Sequence, residues 1–519
     1  MKINSFQRLA VRSIRTGFFR SDPPPGSTSP YFYRDPSGPL FAESDEVRFS
    51  DDPALQRPIL ERSNVGMGAV TVNREFIDLE IVNPLYRRLR NLEVNSTKRL
   101  VTVGPRFQAD FGHLSSRELL LISEGKGFSY AREMFRNFSD LAMLIADYHK
   151  PLITLISGTG SSIFALSEYS AANESSRINF HDTRRGFIPF GGVSYLLGTL
   201  PFKLGSYLAL TATEVSGPDL VYSGLIRHWM SKEALKYMEI CSESLLEVSE
   251  RDSRLLIEEH FLTLPDKTWK FKPFIPLIED CFGYRRIESV IGRLKHYADG
   301  SNDRFAAFAK DALLKISMSS PPALELTHEL INRTRDNLEI ATRRIKSEQP
   351  EVWQQMDPHG CWQVGRHGNF MEIVGREILE NSLRLEMRAS ARLLENDVMR
   401  KELSARLFNE IQGSDSARID LSKFSSIPDI DKFFEPLSDP LHDYVYVPRT
   451  ELSLSQHPKL RKYHPDFDPM TGLDHDPRHM AKEVSRWADD FMKDDRERLA
   501  QSLNVKTQGR FTQMVTGSL

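Results

Sequence analysis

Residues 186–228 read GFIPFGGVSYLLGTLPFKLGSYLALTATEVSGPDLVYSGLIRH, and this stretch decides the fold. A Gly-aromatic turn ending in Pro189 leads to the glycine pair Gly191 and Gly192. An apolar helix follows, then a break at Leu200–Pro201, then a second apolar helix beginning near Lys203. Working outward, Val65–Asn73 alternates loosely, Lys98–Gly104 is a second strand-like run, and Lys150–Gly158 is a short apolar run bounded by turn residues. These three segments suit strands, the last buried on both faces. Between the second and third, Phe128, Phe135, Phe138, Leu141, Leu144, Ile145 and Tyr148 recur at helical spacing. Strand, helix and strand in this order predict crossover units and an α/β sheet.

After about Leu200 strands become rare. Residues 231–350 read as mostly helical, with a helix starting near Ala323 after the Ser-Pro-Pro at 320–322. Residues 375–408 suit a further helix or helix pair. From about Ser414 the chain is rich in Asp, Pro and His, until a charged helix over about Pro477–Leu503. Net charge is −3 over 519 residues, which argues against a protein coated with nucleic acid over most of its surface. No apolar run approaches the ~20 residues of a membrane span. Cys241, Cys281 and Cys361 are widely spaced, so disulfide stapling and structural zinc are poor readings.

Residues 1–20 hold Lys2, Arg8, Arg12, Arg15 and Arg20 without an acid, and Phe6, Leu9, Ala10, Ile14 and Phe18 suit one apolar helix face. That is the pattern of a mitochondrial targeting segment, and it places the protein in the mitochondrial matrix. Residues 21–60, rich in Pro, Ser and Asp, read as an extended arm, with order beginning near Val65.

The quoted stretch, together with GAVTVNRE (68–75), DYHKPLITLISG (147–158), LLIEEHF (255–261) and SPPALELTHELI (320–331), resembles the crotonase (enoyl-CoA hydratase/isomerase) superfamily, within it the 3-hydroxyisobutyryl-CoA hydrolase branch. The resemblance covers about 60–335 and resumes near 385–410. It implies a crotonase-type ββα superhelix core over 61–230 and a helical region over 231–412. That region carries an insertion over 340–384, and 413–519 form a C-terminal extension. It also implies the chemistry of a thioester carbonyl held by two backbone N–H groups, with carboxylates nearby as acid and base.

This chain departs from that pattern at each part. The first loop is FQADFGH, Phe107–His113, where Asp110 and Phe111 interrupt a glycine pair near Ala109. In the second loop only Gly160 remains of a glycine run that here becomes Ser161, Ser162 and Ile163. The family glutamate falls on Asp182, one methylene shorter, and the catalytic aspartate falls on Phe190 or is deleted. Ala109, Gly160, Ser161, Asp182 and Phe190 therefore read as remnants, with no catalytic residue, cofactor or metal expected. Lost chemistry, added segments and the basic leader together resemble the degenerate hydrolase-like structural subunit of the mitochondrial ribosome small subunit found in some protists. Mitochondrial ribosomal proteins are the implied partners. The alternative is an active mitochondrial hydrolase of valine catabolism, with Asp182 as acid/base and the N–H groups near Ala109 and Ser161 as the oxyanion hole. A scaffold in another mitochondrial assembly is a third possibility.

Other groupings read more plainly. His457, His464, Asp466, Asp468, Asp474, His475, Asp476 and His479 match no metal-binding spacing and suit a solvated or partner-facing loop. Cys361 with His359 and His367 lacks an evident orienting group, and Arg343, Arg344 and Lys346 suit a solvated helix face. Arg184, Arg185 and the basic tail residues Lys506, Arg510 and Phe511 are candidates for local rRNA contact.

Overall fold

The structure is a computed structural model. It describes residues 58–64, 66–74, 76–95, 98–105, 114–124, 127–230, 269–348, 375–414, 418–422, 424, 426–437 and 444. The chain divides into two compact units, Met1–Phe434 and Glu435–Leu519. The architecture below is that of the first.

The chain enters through strands β1 (Ile59–Asn64) and β2 (Gly66–Val72), helix α1 (Leu79–Val94) and strand β3 (Lys98–Pro105). Helices α2 (Ser116–Glu124) and α3 (Gly127–Ala146) follow, then β4 (Leu152–Leu155), a 3-10 helix (Thr159–Leu166) and β5 (Tyr169–Ala172). Short elements come next: β6 (Arg177–Ile178), α4 (Asp182–Arg185), α5 (Val193–Gly198), α6 (Leu204–Thr211), β7 (Val215–Ser216), α7 (Asp219–Tyr222) and β8 (His228–Trp229). The rest is helical: α8 (Ile275–Phe282), α9 (Ile287–Ala298), α10 (Asp303–Ser317), α11 (Pro321–Glu348), α12 (Arg376–Glu395) and α13 (Asp397–Ile411).

Six strands form one sheet in the order β1-β2-β3-β4-β5-β8. β1 pairs antiparallel with β2, and every other pairing in that sheet is parallel. The parallel pairs need crossovers, supplied by α1 between β2 and β3 and by α2 and α3 between β3 and β4. This is the α/β core with a helical C-terminal region expected from the sequence.

Order begins earlier than the alternation at Val65 suggested, because Ile59–Asn64 adds an edge strand to β2. β2 itself is buried at all seven positions, since β1 and β3 flank it and α1 packs on it. The apolar run at 150–158 yields a strand of only four residues. Gly158 takes φ +75, which ends the extended conformation and starts the 3-10 turn. Pro321 and Pro322 lie inside α11, in the first turn where an absent N–H costs nothing. Residues 375–411 form two helices because Asn396 ends α12 in an extended conformation. Its side chain then accepts from the N–H groups of Val398 and Met399 to start α13.

Candidate functional site

At the second loop, where the resemblance alone puts a thioester oxygen, the local chain uses its own donors. The Ser161 N–H donates to the Gly158 carbonyl at 3.2 Å, and the Ser161 hydroxyl donates to the same oxygen at 2.6 Å. The Ser157 N–H in turn donates to Ser161 Oγ at 2.9 Å. Gly160 and Ser161 are buried, and Ile163 is fully buried behind them. An N–H engaged in a 3-10 turn is not aimed at a substrate oxygen, so this loop packs as a core turn. Ala109 lies outside the described residues.

Asp182 opens the one-turn helix α4, whose chain reverses at Gly186 with φ +86. Its neighbours hold it under the C-terminal helix. Arg185 forms an ion pair with Glu410 of α13 at 2.9 Å and donates to the Leu114 carbonyl at 3.0 Å. Arg406 of α13 donates to the carbonyls of Arg184 at 3.3 Å and Met318 at 3.0 Å. Asp182 is left 3% exposed. Burial pushes its carboxyl up to about 6; the Arg185 guanidinium draws it back and Glu410 pushes it further up. Arg184 and Arg185, read from sequence as candidate RNA contacts, are instead tied inward. Arg185 is held by Glu410, and Arg184 donates to the Thr211 carbonyl at 3.1 Å.

A folded-state value above the ordinary carboxylate value means that the proton favours the folded protein. The contribution of Asp182 is therefore present below about pH 4 and is lost as pH rises through about 6. Asp182→Asn should remove a pH dependence of roughly 3 kcal/mol over that window. Urea unfolding of both proteins across the window tests this, and parallel profiles would refute it.

Phe190 is 2% exposed and sits in an aromatic cluster. Its ring lies 5.4 Å from Phe135, 5.0 Å from Phe138 and 6.0 Å from Phe187, each edge to face. Phe135 and Phe187 stack at 5.8 Å. Edge-to-face packing suits the ring quadrupoles. It also surrounds this position with hydrocarbon.

Beyond Phe190, Gly191 and Gly192 take φ +73 and +87, conformations that favour glycine. This turn presents its N–H groups to Glu386 of α12. Glu386 Oε2 accepts from the Gly192 N–H at 2.9 Å, and Oε1 accepts from the Ser194 N–H at 2.8 Å and its hydroxyl at 2.6 Å. The Gly191 N–H also bonds the carboxylate, which burial pushes up to about 7 against the pull of these bonds. Glu386 is not among the residues expected from the sequence. Its signal was there, since it lies four residues from both Ser382 and Ser390 on the buried stripe of α12.

A cavity of about 550 Å³ opens between α2 and α13, lined by Ser123, Arg400, Lys401, Ser404, Ala405 and Phe408. None of Gly160, Ser161, Asp182 or Phe190 lines it. Among the described residues there is no group of three or more His, Cys, Asp or Glu placed to hold a metal, and no helix long and apolar enough to cross a membrane. Cys281 is buried, and its thiol is pushed up to about 12. Cys361 with its histidines, the 457–479 grouping and Lys506, Arg510 and Phe511 lie outside the described residues.

Residues 77–349, just over half of the chain, match the enoyl-CoA hydratase/isomerase family, and the chain belongs to it. The fold agrees with that of solved crotonase-type structures. A carnitinyl-CoA dehydratase from Mycobacterium thermoresistibile superposes with a TM-score of 0.54 at 20% identity, covering 73% of this chain and 97% of the other. Among curated relatives, the mitochondrial 3-hydroxyisobutyryl-CoA hydrolase of Rattus norvegicus is 26% identical over 54% of this chain and 74% of its own length. Small ribosomal subunit protein mS47 of Neurospora crassa is 28% identical over 36% of this chain and 39% of its own. The protein of the same name from Schizosaccharomyces pombe is 25% identical over 53% and 66%.

Proposed function

We propose that this chain is a catalytically inactive 3-hydroxyisobutyryl-CoA hydrolase-like protein that serves as a structural subunit of the mitochondrial small ribosomal subunit. The observation that carries the loss of catalysis is the aromatic cluster at Phe190, where the resemblance calls for an acid. The engaged Ser161 N–H and the enclosed Asp182 support it. The ribosomal role draws support from similarity to mS47 of two fungi. On this reading residues 61–230 are the inherited core, 231–412 the inherited helical region, and 413–519 an addition suited to neighbouring proteins. Lys506, Arg510 and Phe511 then make local rRNA contact, and residues 1–20 direct the chain to the matrix.

Two measurements test it. The purified full chain should give no thioesterase turnover on short 3-hydroxyacyl-CoA substrates above a no-protein control. The native tagged protein should sediment at the size of the small ribosomal subunit. Turnover abolished by Asp182→Ala would overturn inactivity, and sedimentation wholly as a free species would overturn the ribosomal assignment.

Two observations favour the second reading, an active acyl-CoA hydrolase. Burial pushes the Asp182 carboxyl up to about 6, a suitable range for a general acid or base, and the similarity to the rat hydrolase spans 74% of that enzyme's length. The turnover measurement separates the two.

A further inference from the structure

The cavity between α2 and α13 is lined by none of the remnant residues, and its walls have a chemistry of their own. Its volume of about 550 Å³ falls within the roughly 300–1,000 Å³ usual for small-molecule sites. Arg400, Lys401, Ser404, Ala405 and Phe408 come from α13, at i, i+1, i+4, i+5 and i+8, which places them on one broad helix face. Leu403 and Leu407 lie on the buried side of the same helix. Ser123 of α2 contributes the facing wall.

Lys401 is exposed and has no ion pair among the described residues. Arg400 gives one guanidinium nitrogen, Nη2, to Asp397 in the first turn of α13, which leaves Nε and Nη1 to donate elsewhere. The other acids of α13 are taken: Glu402 accepts from Arg406 at 3.0 Å, and Glu410 pairs with Arg185 at 2.9 Å. Among the described residues no acid lines the cavity, so its end near Lys401 carries positive charge.

The hydroxyls are ordered. Ser123 donates to the Leu120 carbonyl at 2.9 Å and lies 2.9 Å from Ser404 Oγ. A hydroxyl has one proton, so Ser404 donates to Ser123 and keeps lone pairs with which to accept. Phe408, one turn further along, is 51% exposed. Lys401 and Phe408 are separated along the α13 axis by about 10 Å, at about 1.5 Å per residue. The helix thus presents cations, then an acceptor, then an aromatic face.

We infer that this cavity binds one nucleotide, with its phosphate at Lys401 and Arg400, a sugar hydroxyl or base amine at Ser404, and its base against Phe408. A bare anion would leave the acceptor and the ring unused, and an apolar ligand would leave both cations unused. The nucleotide belongs to an RNA strand or is free in solution, and the exposure of Lys401 and Phe408 suits a strand that continues beyond the cavity. The inference rests on the cavity and not on the ribosomal reading, which sedimentation tests separately.

Anisotropy of a labelled oligoadenylate is measured with the full chain carrying Lys506→Gln and Arg510→Gln, which removes the proposed tail contact. In this background Phe408→Ala should weaken binding about tenfold without any change of charge, and Lys401→Gln about threefold. Lys310→Gln, the same loss of charge on an exposed position of α10, should leave binding unchanged. Both cavity positions are exposed, so urea midpoints of their variants should match the parent chain. Titration with AMP is the second arm. Oligoadenylate bound more tightly than AMP, with both weakened by Phe408→Ala, assigns the nucleotide to RNA; AMP bound with no binding of oligoadenylate assigns it to a free nucleotide. Binding of neither, or binding of both by Phe408→Ala as by the parent, would overturn the site. Coenzyme A bound more tightly than AMP would also overturn it, because the pantetheine arm would then mark the cavity as an inherited acyl-CoA pocket.

Discussion

Glu386→Ala is expected to destabilise the folded chain by about 3–5 kcal/mol, among the largest effects available to a single side chain here. The carboxylate is 2% exposed and accepts from the N–H groups of Gly191, Gly192 and Ser194 and from the Ser194 hydroxyl. Alanine leaves those donors buried with nothing to accept from them, and each stranded donor costs about 1–3 kcal/mol before partial relaxation. Glu386→Gln separates this cause from simple loss of packing. Glutamine keeps the volume and one acceptor oxygen but turns an amide NH₂ toward N–H donors, so it should lose a substantial part of the stability and not all of it. Urea midpoints of the three proteins measure this. An alanine variant within 1 kcal/mol of wild type would show that the bonds contribute little net free energy.

Glu386 also shows where sequence reasoning was complete and where it was not. Strands and helices that bury continuous apolar surface were legible, because periodicity reports burial directly. β3 and α3 appear close to where their apolar patterns placed them. The glycine pair was legible as a tight turn, but its occupant was not. Glu386 lies 194 residues from Gly192, and pairing across that separation leaves no local pattern. An acid on the apolar stripe of α12 was the available sign, and a charge count that treats every acid as solvated passes over it. Phe190 is the converse case. Set against the family resemblance it reads as a missing charge, while the partners that fill the space, Phe135 and Phe138 on α3, emerge only from the fold. Arg184 and Arg185 show the remaining limit. A basic pair in a polar stretch looks exposed until a distant helix, here α13, is seen to cover it.

The other large effect is expected from a residue with no side chain. Gly205 stands at the second position of α6, against the end of α5. A Cβ placed there would lie 1.9 Å from the Leu197 carbonyl oxygen and 2.6 Å from its carbon. Both are backbone atoms, so no rotamer change relieves the collision, and one helix must move away from the other. The helices cannot separate freely. One residue further along α5, Gly198 meets Thr334 of α11, where a Cβ would stand 2.6 Å from the threonine methyl. Thr334 is in turn held by a 3.0 Å hydroxyl contact with Ser382 of α12. Helix α5 is therefore closed in by two near-contact packings, one against backbone and one against a side chain. Gly205→Ala should cost about 3 kcal/mol or more, despite the better helix propensity of alanine. Gly198→Ala should cost less, because its contacts of 2.6 and 2.8 Å with Thr334 side-chain atoms are less severe than 1.9 Å to a backbone carbonyl oxygen. Thermal and urea unfolding of both variants would measure the order. A Gly205 variant more stable than the Gly198 variant would mean that the α5–α6 approach is looser than a backbone-to-backbone contact, and that the glycine in KLGSYLALT serves the chain in some way other than packing.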